Sequence, residues 1–329
     1  VKSHVRKWTT ALLMLMAALL SGCTDKVIVL DPKGPIGEAQ KDLIYLSTIL
    51  CLIVIVPVLL LTAWVVWRYR DKPGRKAAYK PEWEHNTKLE IIWWTIPILI
   101  IIALGTVTVK YTYALEPSKP IESEKEPVTI QVTSLDWKWL FKYPDEGIAT
   151  VNYVNIPEDV PIRFQLTSET AMNSFWIPQL GGQIYTMSGM AMTLYLQADE
   201  PGTYYGSGAN FTGEHFAKMT FDVNAMPQEE YDEWVKQAKA SGNPLTEEGY
   251  EQLKIPGTTG THTFSSFPKG LFEKVVNQYA VGGSAHRHHG AAPGGESESR
   301  KEDAGAKGEH AHTPAASPSP SGGSHHAGH

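Results

Sequence analysis

The stretch 43-LIYLSTILCLIVIVPVLLLTAWVVW-67 contains no Asp, Glu, Lys, Arg or His. A helix over it, rising ~1.5 Å per residue, covers a hydrocarbon core of ~30 Å with some tilt. Residues 43–67 are therefore expected to form a first transmembrane helix, and the rest of the fold is built outward from it. Pro57 predicts a kink, which bilayer helices tolerate where a neighbour satisfies the freed carbonyl. A second uncharged run, Ile91 to Val109, predicts another span over 91–110. Trp64 and Trp67 near the end of one span, and Trp93 and Trp94 at the start of the other, suit the aromatic belt at the lipid headgroups.

Between the spans lies 68-RYRDKPGRKAAYKPEWEHNTKLE-90, with seven Lys and Arg against four Asp and Glu. That excess in a short loop marks residues 68–90 as cytoplasmic. Both ends of the chain then lie outside. The N-terminus agrees: Lys2, Arg6 and Lys7 precede an uncharged run from Thr9 to Leu20, the pattern of an export signal over 1–22. It closes in 20-LSGC-23, which resembles the bacterial lipobox and makes Cys23 the expected lipid attachment residue; an ordinary buried cysteine is the alternative. Residues 23–42 would form an external N-terminal segment. Cys51, the second of two cysteines, is expected to act as a small hydrophobe inside the first span. The chain has 329 residues and a net charge of −6, and it shows no basic face, so nucleic acid is not an expected partner.

After a Pro- and charge-rich linker (111–127) the period changes to two. Val128, Ile130 and Val132 alternate with Thr129, Gln131 and Thr133. Short runs at 151-VNYV-154, 161-PIRFQLTS-168, 192-MTLYLQA-198 and 217-AKMTFDV-223, divided by Pro, Gly, Asp and Asn, predict a small antiparallel β-sandwich over 128–226. Beyond it, 227-PQEEYDEWVKQAKA-240 puts Tyr231, Trp234, Val235 and Ala238 on one helical face. Two further short helices, near 246–253 and 269–281, complete a helical extension over 227–281. From residue 282 Gly, Ala, Ser, Pro and His replace the hydrophobes, which predicts a disordered tail over 282–329. Its eight histidines, from His286 to His329, are assigned no site.

Two spans followed by an exported sandwich with a loop before its last strand resembles subunit II of the haem-copper respiratory oxidases. The segments 89-LEIIWWTIPILI-100, 136-DWKWLFKYP-144 and 171-AMNSFWIPQLGGQIYTMSGM-190 are similar to that family's second-helix start, Trp-rich strand and metal strand. The resemblance implies a cupredoxin-like sandwich. In members that oxidise cytochrome c it also implies a dinuclear copper centre, held by one upstream histidine and a Cys-x-Glu-x-Cys-x3-His-x2-Met loop. Bridging thiolates and imidazoles hold copper in both oxidation states.

Here the corresponding loop is 206-GSGANFTGEHFAKMTFDV-223. Aligned on Met219, Gly208 and Thr212 stand at the cysteine positions, Asn210 at the glutamate and Phe216 at the histidine. Asn173 stands at the upstream histidine. His215 falls one position out of register, and on a strand its side chain would turn to the other face. The resemblance is therefore to the quinol oxidases, which lack these ligands. With 30-LDPKGPIGEAQKDLI-44 it is most similar to the menaquinol-oxidising type of Gram-positive bacteria.

That resemblance implies a subunit with no cofactor of its own. Haems and copper would be carried by subunit I, smaller membrane subunits would be partners, and a membrane quinol, menaquinol by resemblance, would be oxidised on subunit I. It places Glu90 at the mouth of a proton pathway into subunit I. An acid at a membrane boundary can exchange protons with water, although most such carboxylates are ordinary interfacial residues. Trp137 and Trp139 are expected to pack. The competing readings are a copper-bearing cytochrome c oxidase subunit and a membrane lipoprotein whose sandwich binds a small ligand.

Overall fold

The computed structural model describes residues 14, 27–70 and 84–279. The lipid-attachment expectation at Cys23, residues 71–83 of the basic loop and the tail after 279 lie outside the described residues.

Helix α1 spans Pro35–Tyr69 and α2 spans Thr87–Ala114. Both are longer than the uncharged runs inside them. Their apolar side chains face outward along the whole of each span, and the two are long and apolar enough to cross a membrane. At ~25 cal/mol per Å² such exposure opposes folding in water and costs nothing against lipid or an apolar partner.

The first turns of α1 dock on the outer domain. Pro35 occupies the first helical turn, where its missing N–H is no loss. Just before it, the Lys33 N–H donates to the Gln179 carbonyl at 2.8 Å and the Lys33 carbonyl accepts from Asp199 N–H at 2.9 Å. Lys33 Nζ meets Glu200 at 2.9 Å. Two glycines permit this approach: a Cβ on Gly34 would lie 2.0 Å from the Gln197 carbonyl oxygen, and one on Gly37 2.9 Å from that of Gln179. The helix and the domain meet backbone to backbone.

The outer domain is a sandwich of two sheets. Its strands are β1 Val128–Leu135, β2 Lys138–Tyr143, β3 Ile148–Val151, β4 Tyr153–Pro157, β5 Ile162–Ser168, β6 Asn173–Trp176, β7 Ile184–Thr186, β8 Met192–Leu196, β9 Gly202–Gly208, β10 Thr220–Met226 and β11 His262–Phe264. One sheet runs β11-β3-β2-β1-β5-β8 and the other β4-β10-β9-β6-β7. The pairing is mixed, because β1 lies parallel to β5 and β4 parallel to β10. The run 151–154, read from sequence as one strand, is divided between the sheets. Asn152 adopts φ +57°, which Asn tolerates better than most residues, and there the chain leaves one sheet for the other.

Strand β2 is buried on both faces, which its alternation explains. Trp139, Phe141 and Tyr143 point into the core between the sheets, while Leu140 joins a second core beneath the C-terminal extension. Phe175 and Phe221 stack in the first core at 5.1 Å, with Trp139 edge-on to both. Helix α3, Gln228–Ala240, closes this core with Tyr231, Val235 and Ala238. Helices α4, Glu247–Lys254, and α5, Leu271–Gln278, cover the outer face of the first sheet through Tyr250, Leu271 and Val275.

Candidate functional site

Three of the six copper positions meet. Strands β6 and β9 pair with Phe175 opposite Gly208, which brings Asn173 and Gly208 together. The Gly208 N–H donates to the Met219 carbonyl at 2.9 Å. Asn173 and Met219 are both buried, and the Asn173 amide nitrogen lies 2.9 Å from the Met219 sulfur and 3.4 Å from Ser134 Oγ. The Asn173 side-chain carbonyl oxygen, Oδ1, accepts from Ser174 N–H at 2.8 Å. A Cβ on Gly208 would stand 3.0 Å from that same carbonyl oxygen, so the amide fills the room a side chain there would need.

The side chains of the other three positions make different contacts. Asn210 donates to the Met172 carbonyl at 3.1 Å. The Thr212 hydroxyl is buried without a protein partner. Phe216 packs edge-on to the exposed Phe211 at 5.7 Å. The expected strand over 217–223 is corrected here: Phe216–Lys218 is a 3-10 turn and β10 starts only at Thr220. In that turn Lys218 N–H bonds the His215 carbonyl and Met219 N–H that of Phe216. His215 thus stands at the start of a turn, and strand alternation does not set its direction. Its ring lies edge-on to Trp137 at 5.0 Å.

Copper does not fit this donor set. A dinuclear centre needs thiolates and imidazoles. The one sulfur present is engaged by an amide, and the position beside it is a glycine. Among the described residues no group of three His, Cys, Asp or Glu converges on one point.

Trp139 is fully buried, while Trp137 is half-buried with φ +65° and packs against His215 and Gly213. Both serve packing.

Glu90 lies in the first turn of α2, one residue before the uncharged run. Asn86 caps the helix, its side-chain oxygen accepting from Leu89 N–H at 3.2 Å. Glu90 Oε1 accepts from the Asn86 N–H at 3.3 Å and faces His85 Nδ1 at 3.4 Å. About a third of the Glu90 side chain is exposed.

Sequence reasoning missed several polar residues. Lys138 Nζ donates to the carbonyls of Ile255 and Gly257 at 2.7 and 2.9 Å, tying down the extension. Asn152 Nδ2 bonds the Thr259 carbonyl at 2.9 Å. Glu169, buried, takes Lys254 at 2.8 Å and the Tyr250 hydroxyl at 2.7 Å. The hydrogen bond to Glu169 raises the Lys254 pKa above the ordinary lysine value. Burial drives Tyr250 upward, reinforced by its bond to Glu169. Lys138 and Lys142 alternate with the aromatics of β2, and that alternation was the available signal.

A membrane hairpin joined to a two-sheet sandwich, with an amide, a glycine and a thioether meeting at three of the positions aligned with copper ligands, defines a class: subunit II of a respiratory oxidase. Family models agree along the chain. Cytochrome C oxidase subunit II, transmembrane domain, matches residues 31–110; its periplasmic domain matches 147–226; and the COX Aromatic Rich Motif matches 239–283. Quinol oxidase subunit 2 of Bacillus anthracis is 49% identical over 280 residues, covering 83% of this chain and 96% of the relative. The Bacillus subtilis (strain 168) protein of the same name is 48% identical, over 77% of this chain and 79% of its own. Cytochrome bo(3) ubiquinol oxidase subunit 2 of Pseudomonas putida is 45% identical, over 79% and 82%. The chain belongs to the quinol oxidase subunit 2 family. It is a membrane protein with an outer-face sandwich domain, one subunit of an oxidase complex.

Proposed function

We propose that this subunit works in a haem-copper complex that oxidises a membrane quinol, reduces oxygen to water and moves protons outward. Haems and the catalytic copper lie on subunit I, and no redox centre lies on this chain. The observation that supports it is the Asn173–Met219 contact beside Gly208, at three positions that the resemblance aligns with copper ligands. With that route closed, electrons reach the haems from a lipid-soluble donor. The resemblance of 30-LDPKGPIGEAQKDLI-44 favours menaquinol. The hairpin braces subunit I and the outer domain caps it, while Cys23 carries a lipid anchor.

Glu90 is the proton-intake residue. It stands at the end of α2 away from the outer domain, with one carboxylate oxygen held and its side chain part-exposed. The reading is tested by purifying the complex with metal and haem counts and comparing turnover on quinol and on reduced cytochrome c. Activity on quinol alone is expected. Stoichiometric copper on this subunit, or turnover on cytochrome c with quinol inert, refutes it. Glu90→Gln is expected to slow oxygen reduction with haem content intact; unchanged turnover removes the residue from the mechanism.

A further inference from the structure

Where the start of α1 and the close of α2 meet the outer domain, a cavity of about 340 Å³ lies between the two helices, the linker after α2 and the sandwich. Small-molecule sites occupy ~300–1,000 Å³. The fold itself builds the walls. Tyr195 N–H donates to the Pro117 carbonyl at 3.0 Å and so pins the linker along β8, the edge strand of its sheet. Pro117 and Pro120 restrict the linker's backbone further. Gly182 lets α1 close in, since a Cβ there would stand 2.9 Å from the Gln40 amide nitrogen.

The depth of the cavity follows from the helices. Gln40 precedes Leu43, where the first uncharged run begins, by three residues, and Ala114 follows Val109, where the second ends, by five. At ~1.5 Å per residue these two lining residues stand ~4.5 and ~7.5 Å outside the hydrocarbon. A bilayer of ~40–45 Å over a ~30 Å core leaves ~5–7 Å of headgroup layer on each side. The cavity therefore sits at the level of the outer headgroups. Its lining combines the apolar Ile36 and Leu194 with three charged side chains, Glu116, Lys119 and Glu122. Among the described residues, Lys119 and Glu122 form no salt bridge, and Glu116 accepts only from Ser118 Oγ, at 2.8 Å.

We propose that this cavity holds the headgroup of a phospholipid that carries an amine, as phosphatidylethanolamine does. Lys119 takes the phosphate, and Glu116 and Glu122 take the ammonium. Gln40 and the Tyr195 hydroxyl supply hydrogen bonds to the glycerol and ester oxygens between them. The acyl chains run toward Ile44, which is exposed one helical turn below Gln40 on the same face of α1. The acids select the amine. Two carboxylates against one ammonium disfavour a head that is only anionic, and an uncharged quinol ring leaves all three charges without a counterpart.

The test uses the purified oxidase complex, stripped of phospholipid by detergent exchange. It is titrated with phosphatidylethanolamine, with phosphatidylglycerol of the same chains and with inorganic phosphate, and binding is read by native mass spectrometry. Wild type is compared with Lys119→Glu and with the double variant Glu116→Gln/Glu122→Gln. All three side chains are exposed and Gln keeps an acceptor for Ser118, so haem content is expected to stay at the wild-type level. Wild type should bind phosphatidylethanolamine about fivefold more tightly than phosphatidylglycerol, the upper end for an exposed ion pair. Salt at about 0.5 M should shrink that preference. The double variant should bind the two lipids alike, and Lys119→Glu should weaken both. Equal affinity of wild type for the two lipids, a preference that survives the double variant, or inorganic phosphate binding as tightly as the lipid overturns the assignment.

Discussion

Replacing Lys142 by Met should stabilise the outer domain, and the gain should depend on pH in one direction. Lys142 is fully buried on β2, its Nζ donating to Thr133 Oγ1 at 3.0 Å and lying 5.0 Å from the centre of the Phe272 ring. Burial pulls its pKa down from 10.5 to about 7, and Glu273 and Glu169 oppose this only at a distance. Glu169 is already engaged by Lys254 and Tyr250. A fall of that size corresponds to a penalty on the order of 5 kcal/mol against the folded state where the lysine is charged in both states. Local relaxation and water reduce it to about 2–4 kcal/mol. Below pH 7 the lysine is charged in both states and the penalty is complete. Between pH 7 and 10.5 the folded lysine is neutral while the unfolded one is charged, so the penalty shrinks by ~1.4 kcal/mol per pH unit. Above 10.5 it is gone. Met keeps the unbranched stem and carries no charge to desolvate. The assay is urea unfolding of the full chain in mild detergent, followed by tryptophan fluorescence at pH 6, 7, 8 and 9, comparing variant with wild type. A variant more stable at pH 6 and 7, with the gap closing toward pH 9, is expected. A gap that is flat with pH, or a less stable variant, refutes the assignment of a desolvated ammonium to this site.

Two further outcomes follow from the packing. Gly34→Val should detach α1 from the outer domain, since the first added carbon already falls 2.0 Å from the Gln197 carbonyl; limited proteolysis between residues 27 and 42 and loss of the assembled complex would register it. Met219→Leu conserves volume and should cost less than about 1.5 kcal/mol, leaving the metal content and quinol turnover of the complex unchanged. Copper lost on that substitution would contradict a purely structural Met219.

Much of the architecture was legible because it is periodic. An uncharged run of bilayer length reads the same in any context, and so does alternation such as Val128-Thr129-Ile130-Gln131. The missing copper ligands were legible too, since ligand chemistry depends on residue type and no folding turns Gly208 into a thiolate. The interruptions were not legible. Asn152 ends one strand and begins another in the opposite sheet, and nothing in 151-VNYV-154 marks the switch except a residue tolerant of positive φ. The 3-10 turn at Phe216–Lys218 was hidden in the same way, because 217–223 has the composition of a strand.

The sequence by itself determined the spans, their orientation, the sandwich class and which donor atoms stand at the copper-loop positions. These depend on hydrophobic length, charge bias and side-chain identity, properties that each segment carries alone. Only the tertiary structure decided that Asn173, Gly208 and Met219 meet, which faces of β2 are buried, how glycines join α1 to the outer domain, and that His85 stands beside Glu90. Those depend on distances between segments, or on a helix start whose exact cap sets which side chains meet, and such distances exist only once the backbone has folded.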